Sequence, residues 1–517
     1  MLVHHYLEYY ARNTPDAPSF SHEETRVTYG ELDASANQLA HAFLDLGVKQ
    51  GQRVAVLGEN SVEHCLWFMG ASKVGAISVP LNYRLAPAEL AFIIKDAGTR
   101  ALLVLDGMEA ALAELREHLP ADIVIITRDH RDSLHLEEWL GQFPTSSPGI
   151  DVDPQSPFIQ LYTSGTTGNP KGVVSSHFNI LQLTMMNVIA TPHRPHEGSA
   201  GIICAPLFHI GGVGSAIAGI YNGQHTLLHR VFDPMPLLDD IEQNPVSSIF
   251  MVPAMIMAVL QTPGVAQRDY NKLQTIFYGA SPISETVLRQ AIEVFDCDFV
   301  QMYGMTETTG TVASLSPEDH RRALAGKPEL LRSCGRPSVG AKISIRDREG
   351  KELAIGEVGE IWVLSETNML CYHNLPEATE ENLTDGWVHT GDAGYVDEEG
   401  YLYLKDRIKD MVVSGGENIY PVEVENALAK HEAVVDVAVI GVPDEKFGEA
   451  LLAFVVMKPG SSLTAEEMID FCRDKIAGYK IPRQLELIDE LPRNPSGKLL
   501  KKILREPYWK DSTRSIG

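Results

Sequence analysis

Residues Tyr162 to Val173 read YTSGTTGNPKGV. Hydroxyls at Thr163, Ser164, Thr166 and Thr167 stand among glycines at 165, 168 and 172, and Lys171 closes the group. Glycine lets a backbone come close to a ligand. Exposed N–H groups and hydroxyls can then cradle phosphate oxygens, while a lysine neutralises them. The apolar run SPFIQL before the loop reads as a strand; VVSSHFNILQLTMMNVI after it reads as a strand end and a helix. Together they predict the strand–loop–helix setting of a phosphate site. The G-x-x-x-x-G-K-[ST] loop does not fit: Gly165 is followed by Thr166, Thr167, Gly168, Asn169 and Pro170 before Lys171, so proline stands where the second glycine belongs, and Gly172 stands where Ser or Thr belongs.

Other stretches carry groups suited to the same ligand. YGASPIS places Gly279, Ala280 and Ser281 in a strand-to-helix turn, and YGMTE, Tyr303 to Glu307, ends another strand. A hard cation on phosphates takes oxygen ligands, often one protein carboxylate; Glu307 offers one, though alone it reads as a solvated loop acid. Asp392 in WVHTGDAGYV could accept both hydroxyls of a ribose. His209 in ICAPLFH is a lone histidine near apolar residues, which by default is a satisfied core histidine. Lys498 in PRNPSGK, followed by Lys501 and Lys502, reads by itself as a basic helix start.

Taken jointly along nearly the whole chain, these motifs resemble the adenylate-forming (AMP-binding) superfamily, closest to its acyl-CoA synthetases, the carboxylic acid–CoA ligases. The resemblance implies an AMP-forming acid–thiol ligase using ATP, Mg2+ and coenzyme A. In that family the loop Thr163, Ser164, Gly165, Thr166, Thr167, Gly168 and Lys171 binds the β- and γ-phosphates. Gly279, Ala280, Ser281, Tyr303, Gly304 and Met305 surround the adenine and its neighbourhood. Thr306 meets the α-phosphate, Thr167 and Glu307 hold magnesium, and Asp392 with Arg407 takes the ribose. Asn418 touches the adenylate. Gly415 and Gly416 border pantetheine, at a position where some relatives carry a lysine. Lys498 is the catalytic lysine, His209 the aromatic gate of the acyl and pantetheine tunnel, and Lys409 the hinge pivot. The hinge divides an N-terminal ATP- and acyl-binding domain, 1–408, from a mobile C-terminal domain, 409–517.

The elements that must position these groups follow from periodicity. HHYLEYYARN and Leu32 to Leu46 carry helical spacing; RVAVL, ISVPL and ALLVLD read as buried strands alternating with helices. This predicts an α/β fold: a large N-terminal domain of parallel or mixed sheets covered by helices. Residues 335–405, with KISIRD, GEIWVL and GYLYLKD, predict a small antiparallel β unit. The tail alternates helix, strand, strand, helix and edge strand, enough for its own small α+β core. Ligands gather at the carboxyl ends of strands in open α/β sheets, where PLFH, YGAS and YGMTE are expected.

A chain of 517 residues with 44% hydrophobic and 22% charged residues has a globular composition and more than one domain. The net charge of −26 argues against nucleic acid or an anionic membrane as partner. The six scattered cysteines have no metal-like spacing and read as free thiols of a reducing compartment. No stretch has the make-up of a signal peptide or membrane span, so a cytoplasmic protein is expected. The oligomeric state is not readable; a homodimer is compatible with the sequence.

A carboxylate has no good leaving group, and coupling to ATP supplies AMP as one. The acid itself is less legible. Relatives for acetate place a tryptophan where Gly304 stands, so an open pocket is expected here. His209, Ile210, Gly214, Ser281, Met302 and Val312 are its expected wall, apolar or small, with no cation for a second carboxylate. Medium- or long-chain fatty acids are favoured, with aryl acids of the cinnamate or benzoate type, or loading of a carrier protein, as alternatives.

Overall fold

A computed structural model describes residues 1–128, 134–163, 169–190, 198–281, 283–407, 410–414, 417–444, 446–458, 460–461, 464–473, 475–493 and 499–509. The chain forms two compact units: Met1–Ile343 with Val363–His389, and Ser344–Trp362 with Thr390–Gly517. This division records packing; a hinge at Lys409 is a separate question.

The first unit holds an eight-stranded and a nine-stranded sheet. The strands Ala200–Ile203, Val246–Met251, Thr275–Gly279 and Asp298–Met305 run parallel as neighbours in the larger sheet. Gly310–Leu315 returns antiparallel beside Asp298–Met305. One core takes Phe20 and Leu228 from the nine-stranded sheet, Val54 and Phe158 from the eight-stranded one, and Trp67 and Phe68 from the helix Val62–Val74. Twelve residues of that helix are buried, which is why VEHCLWFMGASKV shows no polar face. Its Gly70 admits the neighbouring helix, since a Cβ there would lie 2.6 Å from Leu39. Lys73 is buried and stays compensated by Glu8 at 2.7 Å and Asp33 at 2.9 Å.

Burial holds several histidines of this unit below their ordinary pKa, among them His4 at about 2, His64 and His177 at about 3, and His320 at about 4. They fold neutral and would take up protons mainly when unfolded. Stability is therefore full above the unfolded histidine pKa near 6.5 and falls as pH drops below it, by up to about 1.4 kcal/mol per pH unit for each. The guanidinium midpoint is expected to decline between pH 7 and pH 5, before the carboxylates titrate. A midpoint constant over that range would contradict it.

In the second unit, Val434–Asp444 and Gly448–Met457 form a long antiparallel pair, with Gln484–Leu487 parallel on the edge. Strand period two sends Val439, Leu451 and Ala453 to one core, with Val424 and Met468, and Ala438, Ile440 and Leu452 to the other, with Leu491. Both faces are covered, which explains the unbroken apolar reading of these strands. Salt bridges Lys501–Glu425 at 2.8 Å and Arg505–Asp410 at 2.7 Å seat the helix Lys501–Trp509.

Two expectations need correction. The phosphate-type loop joins two antiparallel strands, Pro157–Thr163 and Lys171–Ser176, with Thr163 opposite Lys171. It does not open a helix; the helix His177–Ala190 starts only after the second strand. The run VVSS has enough β-branched residues to continue the sheet before it turns helical. Likewise 335–405 is not wholly one antiparallel unit, because Cys371–Tyr372 leaves it to pair with Lys171–Ser176.

Candidate functional site

The parallel strands of the nine-stranded sheet end on one edge, and the chain places its motifs just beyond them. Leu207 to His209 follow Ala200–Ile203; Gly279 to Ser281 close Thr275–Gly279; Tyr303 to Glu307 close Asp298–Met305. Two glycines make this edge possible. A Cβ on Gly279 would lie 2.2 Å from the Met302 carbonyl, and one on Gly304 would lie 1.8 Å from the Gly310 carbonyl. Gly304 is thus demanded by backbone approach as well as by pocket space. Ala280 sits at φ +66 and Thr309 at φ +53, a left-handed backbone that costs non-glycine residues of order 1 kcal/mol. Thr309 is held there by a 2.9 Å hydrogen bond between its hydroxyl and that of Ser175.

The turn Thr306–Thr308 is fixed by its own hydroxyl. Thr308 Oγ1 donates to the Gly310 carbonyl at 2.7 Å and accepts from the Met305 N–H at 3.1 Å. Glu307 between them is buried, 8% exposed, not a solvated loop acid. The Tyr372 hydroxyl donates to Glu307 Oε1 at 2.9 Å, and the Met369 N–H donates to the Glu307 carbonyl at 2.8 Å. Oε2 has no partner among the described residues. A pinned carboxylate with one oxygen unused fits a hard divalent cation. Burial and the Glu307 carboxylate push the Tyr372 phenol up. Lys171 Nζ lies 4.8 Å from the centroid of the same ring, a cation–π contact. One tyrosine therefore joins the lysine that follows the loop to the acid that follows YGMT.

Tyr372 was missed by the sequence reading, since nothing in LCYHN marks it and only the strand pairing brings it in. Changing Tyr372 to Phe keeps the ring under Lys171 and removes the bond to Glu307. Acid-dependent pyrophosphate release is expected to fall roughly tenfold, with a higher magnesium requirement. A wild-type rate at limiting magnesium would place Tyr372 outside the site.

A second missed network anchors the hairpin. Tyr162 donates to Asp96 at 2.6 Å, Gln160 to the Tyr162 hydroxyl at 2.9 Å, and Arg53 to Gln160 at 3.1 Å. The His373 N–H donates to the Gly172 carbonyl at 2.7 Å. Both sides of the loop are so tied to the sheet beneath.

A cavity of about 210 Å3 lies between this sheet and the helices His177–Ala190 and Ile210–Tyr221. Ile210, Gly214, Met302, Gly304 and Ala280 line it. His209, Ser281 and Val312 are not among the lining residues; Val312 is wholly buried in the sheet. His209 Nε2 has no hydrogen-bond partner among the described residues. Burial, helped by Arg84, pushes its pKa down to about 4. At neutral pH it offers an uncharged aromatic face, packed on Phe208 with centroids 4.7 Å apart.

In the second unit Asp392 and Arg407 face each other across an antiparallel pair, and Arg407 Nε meets Asp392 Oδ1 at 2.8 Å. Asn418 lies in the strand Glu417–Ile419, opposite Val413; its side chain is not described. Ser164, Gly165, Thr166, Thr167, Gly168, Lys409, Gly415, Gly416 and Lys498 lie outside the described residues.

Fold and motifs define an α/β enzyme of the nucleotide-using class. The chain belongs to the AMP-binding enzyme family: residues 7–373 match that family and residues 423–498 its C-terminal domain. It is similar to a fatty acid–[acyl-carrier-protein] ligase of Streptomyces coeruleorubidus, 37% identical over 98% of this chain and 96% of the relative. A long-chain-fatty-acid–CoA ligase of Mycobacterium tuberculosis is 34% identical over 94% of each chain. The solved o-succinylbenzoate CoA synthetase of Bacillus subtilis, bound to its acyl-adenylate, superposes with a TM-score of 0.85 at 31% identity, over 96% of this chain and 97% of that one. The chain is an acid–thiol ligase acting through an acyl-adenylate. Among the described residues no helix is long and apolar enough to cross a membrane.

Proposed function

We propose that this enzyme activates medium- or long-chain fatty acids with ATP and passes the acyl group to coenzyme A. What supports this choice of acid is the cavity beside Gly304. Its lining runs across five strands of the sheet, through Phe277, Ile249 and Ile202 to Thr226. With neighbouring strands about 4.8 Å apart, that is roughly 19 Å, a reach suited to a chain.

In this reading a carboxylate oxygen attacks the α-phosphorus, the bond to the bridging oxygen breaks, and pyrophosphate leaves. Lys171 and the loop hydroxyls hold the departing phosphates, Thr306 the α-phosphate, and Asp392 the ribose. Glu307 and Thr167 would hold a magnesium ion, which when bound withdraws charge from phosphate oxygens. The thiol sulfur then attacks the acyl carbon and AMP departs. Lys498 and the thiol need the same face of the adenylate, so residues 409–517 swing about Lys409 between the two half-reactions. Changing Lys409 to Pro is expected to spare pyrophosphate release and to block thioester formation; normal thioester formation would refute the pivot.

A carrier-borne pantetheine is the second reading, favoured by the carrier-protein ligase among the relatives. The test is pyrophosphate release from Mg-ATP across acetate, octanoate, palmitate and cinnamate, with free CoA or a pantetheinylated carrier as acceptor. Turnover with alkanoates and CoA supports the proposal. Turnover only with cinnamate, or only with the carrier, overturns it in favour of the corresponding alternative.

A further inference from the structure

The far end of the cavity is polar. Gln224 and Thr226 line it there, 8% and 3% exposed. The amide of Gln224 is oriented by its neighbours. Its Nε2 donates to Ser247 Oγ at 3.3 Å, and Ser247 spends its own proton on the Ala200 carbonyl at 3.3 Å. The other end of the amide, Oε1, therefore points away from Ser247. It lies 3.1 Å from where a Cβ on the lining residue Gly201 would sit. The main chain of Gln224 is fixed as well, its carbonyl accepting from Tyr29 Oη at 2.9 Å.

Neither Gln224 Oε1 nor the Thr226 hydroxyl has a hydrogen-bond partner among the described residues. Both are kept open by glycine: a Cβ on Gly219 would lie 2.7 Å from Thr226 Oγ1. A plain alkyl terminus reaching this niche would leave a buried acceptor unpaired, which is costly. A terminal hydroxyl would donate to Gln224 Oε1 and accept from Thr226 Oγ1, satisfying both.

We propose that Gln224 and Thr226 form a distal subsite selecting chain-type acids that end in a hydroxyl over their unsubstituted parents. The proposal rests on the fatty-acid ligase reading above and names the chemical class within it. The test is kcat/KM for pyrophosphate release, with CoA present, for matched pairs of alkanoate and ω-hydroxyalkanoate from octanoate to hexadecanoate.

At the chain length that reaches the niche, the hydroxy acid is expected to be preferred by roughly tenfold or more, with no preference among pairs too short to reach. Gln224→Leu is expected to reverse the preference, and the near-isosteric Thr226→Val to reduce it. The wild-type panel and Thr226→Val decide the matter if Gln224→Leu fails to fold. Preference for the plain acid at every length, or an unchanged ratio in a folded variant, overturns the subsite. Absence of turnover with both series would instead overturn the ligase reading on which it stands.

Discussion

Changing Lys498 to Ala is expected to lower acid-dependent pyrophosphate release a hundredfold or more, while thioester formation from supplied acyl-adenylate falls far less. In the first half-reaction negative charge grows on the α-phosphate oxygens and on the bridging oxygen that leaves with pyrophosphate. A cation placed against that charge in a water-poor site contributes several kcal/mol that water cannot replace, hence the size of the effect. In the second half-reaction AMP leaves as an already stable phosphate monoester, and that cation has little left to do. Equal losses in both halves would mean that Lys498 serves folding or general binding.

Changing Glu307 to Gln should produce the second largest loss, about a hundredfold in pyrophosphate release. Glutamine keeps the length of the side chain and an acceptor oxygen for the Tyr372 hydroxyl, which now meets Glu307 Oε1 at 2.9 Å. Only the charge goes. A hard cation loses most of its attraction to a neutral amide, so the loss should be partly recovered at high magnesium. A variant as active as wild type at limiting magnesium would remove Glu307 from the metal site. A loss that magnesium cannot recover, with lowered stability, would mark Glu307 as a structural partner of Tyr372.

The elements of both units were largely legible, because buried parallel strands and amphipathic helices leave strong periodic signals. The residue types of the phosphate-type loop carry its proposed role, while its setting is a hairpin of two antiparallel strands and not a strand–loop–helix unit. VVSSHF was read as a strand end leading into a helix, as found; its antiparallel pairing with the strand before the loop is a contact that periodicity does not encode. Tyr372 escaped because its importance comes from pairing Cys371–Tyr372 against Val173–Val174, a contact between distant segments that no local pattern encodes. Gly304 was read as pocket space and as part of the adenine surroundings; the Gly310 carbonyl behind it is a further reason visible only with the antiparallel partner in place. The orientation of Gln224 depends on Ser247 and Ala200, which the chain order gives no cause to associate.

The central step is an acyl-adenylate formed before any thiol takes part. Acid-dependent exchange of labelled pyrophosphate into ATP, measured without coenzyme A or carrier, tests this in one step. Exchange is expected to require the fatty acid and magnesium, and the acyl-AMP to convert to thioester and AMP once the thiol is added. No exchange until thiol is present, or release of ADP and phosphate in place of AMP and pyrophosphate, would contradict it.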